Sequence, residues 1–482
     1  MMIAAGSVPA LASSYPPSGN HAHYPPLPRH PGHGGTGSGG YDSYAPSANR
    51  AYHDGTSTAI ATSAGSGDHD TASAFRNSAA VSSVDGNGNH ITASAFRNSL
   101  ATSTVDGKGN HVTSTADNNS SAEVTVDGTG NDASVTARDG GNATSSVSGN
   151  RNRTSTTAIG AGSSAVRNNV VIGDGNSTTT TAANGGIVLG NEVDGSGNTT
   201  NVKSAGTGSE VSDQVDGSWN NTSAEANGAG AGVDNVVNGS GNNSTAKASG
   251  AGSVAVNAVG SVGDSNDDNT TSATATNDGE AENEVSGSRN RSTATANSTG
   301  AVDSADNLVN GSGNNSTAKA SGAGSIAVNE VGAFNGNNND DNTSSATATN
   351  DGGAENDVNG SGNNSTAKSS GAGSIAENTV NGNNDTTTAV ANDDGHASST
   401  ANGNNARASS NATGAGSDAT ATASDGGSAY ASATDGETVQ ATASGSGAYA
   451  YATATTAVAT CSGMGDSASA TDGAGQMQSC SS

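Results

Sequence analysis

The side chains closest to a recognisable chemistry in this sequence are carboxylates set among glycine and asparagine. The segment from Asp127 to Asp132 reads Asp-Gly-Thr-Gly-Asn-Asp, which approaches the repeat of calcium-binding β-rolls. Calcium prefers such oxygen ligands, but a β-roll needs the acid in every repeat. The place of Asp132 is taken by His90 and His111 in the preceding repeats. We therefore expect no cofactor, and calcium on Asp127 and Asp132 stays as an alternative.

Two further groups of side chains are candidate metal ligands. The acidic pairs Asp267–Asp268 and Asp340–Asp341 lie in the two longest repeats, where a turn supplies oxygen ligands to a hard cation. The N-terminal segment carries a histidine cluster suited to weak binding of a transition metal, made of His21, His23, His30 and His33. Solvated acids in turns and a polar leader are the simpler interpretation of both groups.

The remaining chemistry argues against several classes of function. Serine, aspartate and histidine are scattered over a repetitive background, whereas an enzyme holds a few groups in a unique pocket, so we expect no enzyme. The chain has 44 acidic and 16 basic residues and a net charge of −28, without a basic stripe to follow phosphates, so no nucleic-acid partner is expected. The sequence has no run of 18 apolar residues, so we expect no membrane-spanning segment.

The composition alone is typical of disorder, but an internal repeat contradicts that interpretation. The chain has 70 glycines, 30% hydrophobic residues and 2% aromatic residues. The sequence Val-Asp-Gly at Val84 nevertheless returns 21 residues later at Val105, and the valine pattern continues to Val380 with most steps of 21 or 22 residues. No proline follows Pro46, as expected where strands must donate their N–H groups. The repeat predicts ordered β-structure.

Each repeat divides into two turns rich in glycine and asparagine and two short strands. This predicts an all-β fold, a repetitive β-solenoid with two short strands per coil of about 22 residues. If Asn242 points inward, then Ser244, Ala246 and Ala248 do too, and Lys247 points to solvent. Such small inward residues predict two closely spaced walls.

Inward asparagines at equivalent places in successive coils predict a ladder of side-chain amides. Asparagine stacked at the spacing of strands forms such ladders in cross-β assemblies. The predicted ladder residues are Asn89, Asn110, Asn131, Asn198, Asn242, Asn314 and Asn363.

The organisation along the chain is read from its composition. Residues 1–12 end in the small-x-small pattern Ala-Leu-Ala and are interpreted as a signal-peptide remnant. Residues 13–54 form a disordered leader rich in proline, histidine and glycine, residues 55–459 the solenoid, and residues 460–482 a tail containing cysteine. Cys461 and Cys480 form one disulfide or remain free thiols. We expect a secreted or cell-surface protein.

The four-residue pattern G-x-G-N resembles the curlin repeats of bacterial extracellular amyloid fibres. It occurs at residues 195–198, 239–242, 311–314 and 360–363. The resemblance is one of architecture, because curlin repeats carry regular glutamines where valine stands here, and Gln214 and Gln440 are isolated. It implies a solenoid that polymerises end to end. We therefore expect an extracellular structural protein contributing to fibres, adhesion or a biofilm matrix, with head-to-tail self-association and surface or matrix glycans as partners.

The alternative function is binding of ice, calcium or glycans on exposed rows of the strands. The threonine runs resemble the flat threonine rows of ice-binding solenoids and lie at residues 178–181, 386–388 and 453–456. A binding row needs the same outward residue in coil after coil. The outward positions vary between Thr, Asn, Lys, Glu and Ser over the whole chain, which favours the structural role.

Overall fold

The computed structural model describes residues 48–470 and 477–479, apart from 166–168, 229, 251–252, 261–267, 277–278, 286, 298–303, 307, 310, 322–324, 333–340, 350–351, 372 and 454–456. The described residues contain no helix, and their strands are parallel and stacked into a β-solenoid of about 18 turns of about 21 residues. The predicted fold class is confirmed. At about 4.8 Å per coil, this stack extends for about 80 Å.

One coil consists of two strands joined by two tight turns. The strand His90–Phe96 is followed by Arg97 and Asn98, both with positive φ, then by the strand Leu100–Lys108 and a turn at Gly109. Side chains alternate between the interior and solvent along each strand, as the pleat requires. Left-handed residues reverse the chain at both ends, which explains why glycine, asparagine and aspartate fill the turns.

The first sheet contains the first strand of each coil. Neighbours in the sheet are equivalent strands of successive coils, and isolated bridges through Thr270 join its two parts. Its strands are Arg50–His53, His69–Phe75, His90–Phe96, His111–Asp117, Asp132–Arg138, Arg153–Ile159, Ser177–Ala183, Thr199–Ala205, Asn221–Asn227, Asn243–Ser249, Arg291–Thr293, Asn315–Thr317, Thr343–Ser345, Asn364–Ser370, Thr386–Asn392, Arg407–Thr413, Ser428–Thr434, Tyr449–Ala452 and Ser467–Ala470.

The second sheet contains the return strand of each coil, divided into two short pieces in several coils. Its strands are Thr58–Ser66, Ala79–Asn87, Leu100–Lys108, Ser121–Thr129, Asn142–Asn150, Ser164–Ala165, Asn169–Ile172, Ile187–Asp194, Glu210–Asp216, Gly232–Val233, Val236–Val237, Val254–Ala255, Glu280–Ala281, Glu284–Val285, Ser304–Ala305, Leu308–Val309, Ile326–Glu330, Gly353–Asn359, Ile375–Asn383, His396–Asn404, Asp418–Ser424, Thr438–Ser444, Val458–Ser462 and Met477–Ser479.

The repeating valine of the sequence forms one buried row inside the second sheet. Val84, Val105 and Val126 pair in register, and the row continues with buried valines to Val380. Alanine then takes this position, and the row reaches Cys461 in register with Ala443. The interior is narrow because alanine and valine make up nearly all of its apolar side chains. Burial of these methyl groups, coil after coil, supplies the apolar stabilisation.

The strands extend beyond the limits expected from the sequence. The first strand begins at Arg50, within the segment expected to be leader, and strands continue past residue 459 through Ser467–Ala470. At the C-terminal side alanine still alternates with serine, as in Ser467–Ala470, whereas Arg50–His53 has the sequence Arg-Ala-Tyr-His and pairs in register with the next first-sheet strand. Cys461 is buried and disulfide-bonded, whereas Cys480 lies outside the described residues. Residues 1–47 also lie outside them, and no described helix is long and apolar enough to cross a membrane.

Candidate functional site

A ladder of buried asparagines runs along the corner where each coil enters the first sheet. The backbone N–H of Asn131 donates to Asn110 Oδ1 at 2.9 Å, and Asn131 Oδ1 accepts from the N–H of Asn152 at 2.9 Å. The Asn131 Nδ2 group donates to the carbonyl oxygen of Gly149 at 2.8 Å and to Asn110 Oδ1 at 3.2 Å. Each amide thus joins its own coil to both neighbours, and this buried corner has its polar groups satisfied.

The seven predicted ladder asparagines all lie in this row, together with eight further residues. Each connection is a backbone N–H bonded to the side-chain oxygen of the preceding member, at 2.7 to 3.0 Å. The row is Asp68, Asn89, Asn110, Asn131, Asn152, Asn176, Asn198, Asn220, Asn242, Asn269, Asn290, Asn314, Asn342, Asn363 and Asp385, and it ends on the N–H of Ala406.

The ladder members that sequence reasoning missed are preceded by different residues. The G-x-G-N pattern requires glycine before the asparagine, but Arg151, Trp219 and Asp341 stand there with φ near +60°. The requirement is a residue in the left-handed conformation directly before the asparagine, and this preceding residue can have any of several side chains. Asn176 was missed although it does follow the G-x-G-N pattern.

Aspartate replaces asparagine at both ends of the ladder. Asp385 Oδ1 accepts the N–H of Ala406 at 2.7 Å, but its Oδ2 is buried without a hydrogen-bond partner. Asp68 Oδ1 accepts from the Asn89 backbone at 2.9 Å, and its Oδ2 also has none. Burial raises the pKa of Asp385, and its hydrogen bond from Ala406 opposes this shift. A carboxylate serves the accepting side of the ladder and lacks the donor that the amide supplies.

A second row of buried amides lies within the second sheet. Asn235 Nδ2 donates to Asn257 Oδ1 at 2.9 Å, and Asn257 Nδ2 donates to Asn283 Oδ1 at 3.2 Å. These amides also reach across the interior, where Asn235 Nδ2 donates to Ser244 Oγ at 3.1 Å. Sequence reasoning missed this row, whose described members are Asn169, Asn191, Asp213, Asn235, Asn257, Asn283, Asn356 and Asn378. It binds the two walls of the solenoid together.

No protein-family profile matches this chain. No curated protein or solved structure matches it either. The β-solenoid architecture is therefore established by the strand pairing, the valine row and the two amide rows.

Asp213 is the exception in the second row, a fully buried carboxyl between Asn191 and Asn235. The Oδ1 atoms of all three residues are buried without a hydrogen-bond partner. Burial raises the pKa of Asp213 to about 8, against a hydrogen bond from the Thr222 hydroxyl and with a smaller contribution from the charge of Asp234. The raised pKa favours the protonated, uncharged form of Asp213 at neutral pH, in which a carboxyl group has an O–H donor that a carboxylate lacks.

The variant Asp213→Asn is expected to lose part of the pH dependence of stability. Between about pH 4 and about pH 8 the folded state binds a proton at Asp213 that the unfolded state has released, so stability falls as pH rises. An amide already fits this position in the neighbouring coils and carries no proton to lose. Urea unfolding at pH 5 and pH 9 measures the difference. Asp216→Asn, on the same strand but facing outward, is the control and should keep the wild-type slope.

The predicted metal ligands are separated by the fold. Asp127 lies two residues before the end of a strand of the second sheet, whereas Asp132 begins a strand of the first sheet, with its Oδ1 3.3 Å from His111 Nδ1. Asp268 and Asp341 occupy turns with positive φ. Among the described residues, no group of three or more acidic, histidine or cysteine side chains is placed to hold a metal ion. The remaining candidates lie outside the described residues, namely Asp267, Asp340, His21, His23, His30 and His33.

Proposed function

We propose that this chain is an extracellular structural rod that associates end to end into filaments. The observation that carries the proposal is the pairing of the terminal strands. Strands inside the stack pair with a coil on each side, whereas within the described residues Arg50–His53 pairs only with His69–Phe75, and Ser467–Ala470 only with Tyr449–Ala452. An edge with unpaired N–H and C=O groups is a template for another chain.

The side chains at the two ends support a continuous joint. Ala51 and Ala59 occupy inward positions of the first described coil. At the other end, Ala468 and Ala470 occupy inward positions of the strand Ser467–Ala470. Stacking these coils continues the alanine interior at these positions, while His53 stands at the other inward position of the first strand, in register with Ala74. The joint adds a coil interface of the kind that stabilises every internal position. A cross-β filament of the curlin-like type is built on the same principle.

Two further features support an extracellular location and a structural role. The disulfide at Cys461 fits an oxidising compartment, because disulfides persist there and are rare in the cytosol. The coil repeats along the rod while its outward residues vary, so the rod acts through its length and its many equivalent coils.

Association is expected to increase with salt concentration. The net charge of −28 makes two rods repel each other, and this repulsion weakens as the screening length falls from about 10 Å at 0.1 M salt to about 3 Å at 1 M. Sedimentation velocity across salt and protein concentrations should therefore show growing oligomers at high salt, and electron microscopy should show rods joined lengthwise. A single monomeric species at every concentration contradicts the proposal.

A charge at the open end should prevent this association. Ala61 points inward and is half-buried in the first coils, so a docking copy would bury it completely. Ala61→Lys is expected to abolish oligomers without unfolding the remaining coils. Thr62→Lys changes the charge equally at an outward position and should assemble like the wild type. Equal assembly of both variants would place the contact elsewhere.

A further inference from the structure

The first sheet carries two adjacent rows of hydroxyl residues across six consecutive coils. Both rows contain only threonine and serine, paired in register without a shift from the second described coil onward. We call this surface the hydroxyl array. Its members, coil by coil, are Thr71 and Ser73, Thr92 and Ser94, Thr113 and Thr115, Ser134 and Thr136, Ser155 and Thr157, and Thr179 and Thr181.

Of the threonine runs singled out in the sequence, the run at residues 178–181 contributes two members to the array. In the run at residues 178–181, Thr178 and Thr180 point into the interior and only Thr179 and Thr181 face outward. The array arises because one threonine or serine per position recurs at each coil, separated by buried alanine, valine or hydroxyl residues. Both rows together are uninterrupted only in these six coils, which an average over all outward positions hides. The first row alone resumes after Asn201 with Ser223 and Thr245.

The hydroxyl groups of the array are available to an external partner. They face outward, and each residue is half-buried by its neighbours or, for Thr179, exposed. None of them has a hydrogen-bond partner elsewhere in the described protein, in contrast to inward Ser114, whose hydroxyl donates to a carbonyl oxygen. Their close packing in register fixes their positions, so little entropy is lost when a partner binds.

The array contains no charge and has a defined end. The next coil places Asn201 and Lys203 at the two positions, and Glu225 and Lys247 follow in the second row. A partner that contacts only the two rows is therefore neutral, since an ionic partner would be matched by charges within them. The flanking outward positions of the same strands do carry charges, such as Asp132 and Arg138 beside Ser134 and Thr136. The two rows themselves have no aromatic ring, and the stacked rings of Phe75 and Phe96 lie in the adjacent outward positions of the first two coils of the array.

The spacing of the array identifies a periodic partner. Hydroxyls repeat at about 4.8 Å along the rod and at about 6.7 Å between the rows, over about 24 Å in six coils. Oxygen atoms on the surface planes of ice repeat at distances close to these two. A row of fixed hydroxyls therefore holds water molecules in positions that continue into the ice lattice, while threonine methyl groups fill the space between these water molecules.

We propose that the hydroxyl array binds crystalline water. The many individually weak contacts act together because the array is rigid and its spacing is constant, as in multivalent binding. This function is independent of end-to-end association, since the array lies on the side of the rod.

The test is partition of the full chain into a slowly growing ice front, combined with inhibition of ice recrystallisation. The wild type is expected to enter the ice, while a non-binding protein of similar size stays in the liquid. Thr113→Tyr raises a ring above the centre of the array and should lose most of this partition. Thr388→Tyr makes the same change at the equivalent outward position of a coil outside the array and should retain it. Circular dichroism checks that both variants keep the fold.

Two results would overturn the proposal. One is exclusion of the wild type from ice, and the other is equal partition of the two tyrosine variants. Binding to microcrystalline cellulose is measured in parallel, because an ordered polysaccharide also presents a neutral periodic surface. Loss of cellulose binding in Thr113→Tyr, with no ice partition by the wild type, would assign the array to a polysaccharide instead.

Discussion

Gly107→Ala is expected to destabilise the solenoid by about 3 kcal/mol or more, an effect typical of severe core or backbone conflicts. Gly107 has φ +129°, where a side chain is strained, and a Cβ there overlaps the carbonyl oxygen of Gly128 in the next coil. It would also lie 2.8 Å from the Gly128 carbonyl carbon and 3.2 Å from Asn110 Nδ2. The substitution therefore separates two coils and disturbs the bond from Asn110 Nδ2 to Gly128, which is 2.9 Å long.

Gly109→Ala is the matched control, two residues away in the same turn. Gly109 has φ +62°, and a Cβ there meets nothing within 4 Å. Gly109→Ala is therefore expected to lower stability only by the cost of placing alanine in the left-handed conformation, roughly 1 to 2 kcal/mol. Urea unfolding followed by circular dichroism measures both variants, and hydrogen exchange locates the loss to the coils around Gly107. Similar losses of stability in the two variants would show that the close approach of the next coil is not the reason why position 107 requires glycine.

The fold could be predicted from this sequence because one physical constraint repeats. Parallel coils of constant length bring the same position into register each time, so the valine spacing gives both the period and the inward row. Alternation along the strand then places Lys247 outside and Ala246 inside, as the structure has them. The exact limits were less predictable, because Ser-Ala and Thr-Ala alternation grades into turns without a stop signal such as proline.

The site was harder to predict because it depends on backbone conformations, on the distance between the two walls and on the exact pairing of strands. Trp219 and Arg151 adopt the left-handed conformation in turns otherwise occupied by glycine, and no propensity favours them there. The second amide row depends on how far the two walls lie apart, which single strands do not reveal. The hydroxyl array needs the exact pairing of strands whose separation changes from 21 to 24 residues between Ser155 and Thr179.

The amide rows explain how a chain with so little apolar volume holds one register. Alanine and valine side chains fit equally well after a shift by two residues, so apolar packing alone selects the register weakly. An asparagine that donates to one coil and accepts from the next fits only when every coil has the same register. The ladder therefore supplies specificity, and the small apolar interior supplies the bulk of the burial.

Asn131→Asp is expected to cost about 3 kcal/mol at neutral pH, as for an uncompensated charge in a buried network. The carboxylate can still accept the N–H of Asn152. It cannot donate to Gly149, whose carbonyl oxygen loses this donor, and it faces Asn110 Oδ1, which keeps only the backbone N–H of residue 131. The pKa of the new carboxyl should be raised by burial, so the folded state retains a proton that the unfolded state releases. Stability of the variant should then fall as pH rises above about 4.

Asn142→Asp is the control, since Asn142 begins the next return strand and is exposed to solvent. It carries the same change of charge and should unfold within about 0.5 kcal/mol of the wild type. Urea midpoints at pH 4 and pH 7 measure both variants, and the gap between them should narrow at pH 4, where the new carboxyl of Asn131→Asp is protonated and regains one donor. Asp385 is a natural aspartate in the same row. Its Oδ2 lacks a hydrogen-bond partner, and the ladder ends at the next coil. If the two variants were equally stable at pH 7, the amide donors would contribute nothing, and the register of the solenoid would have to come from packing alone.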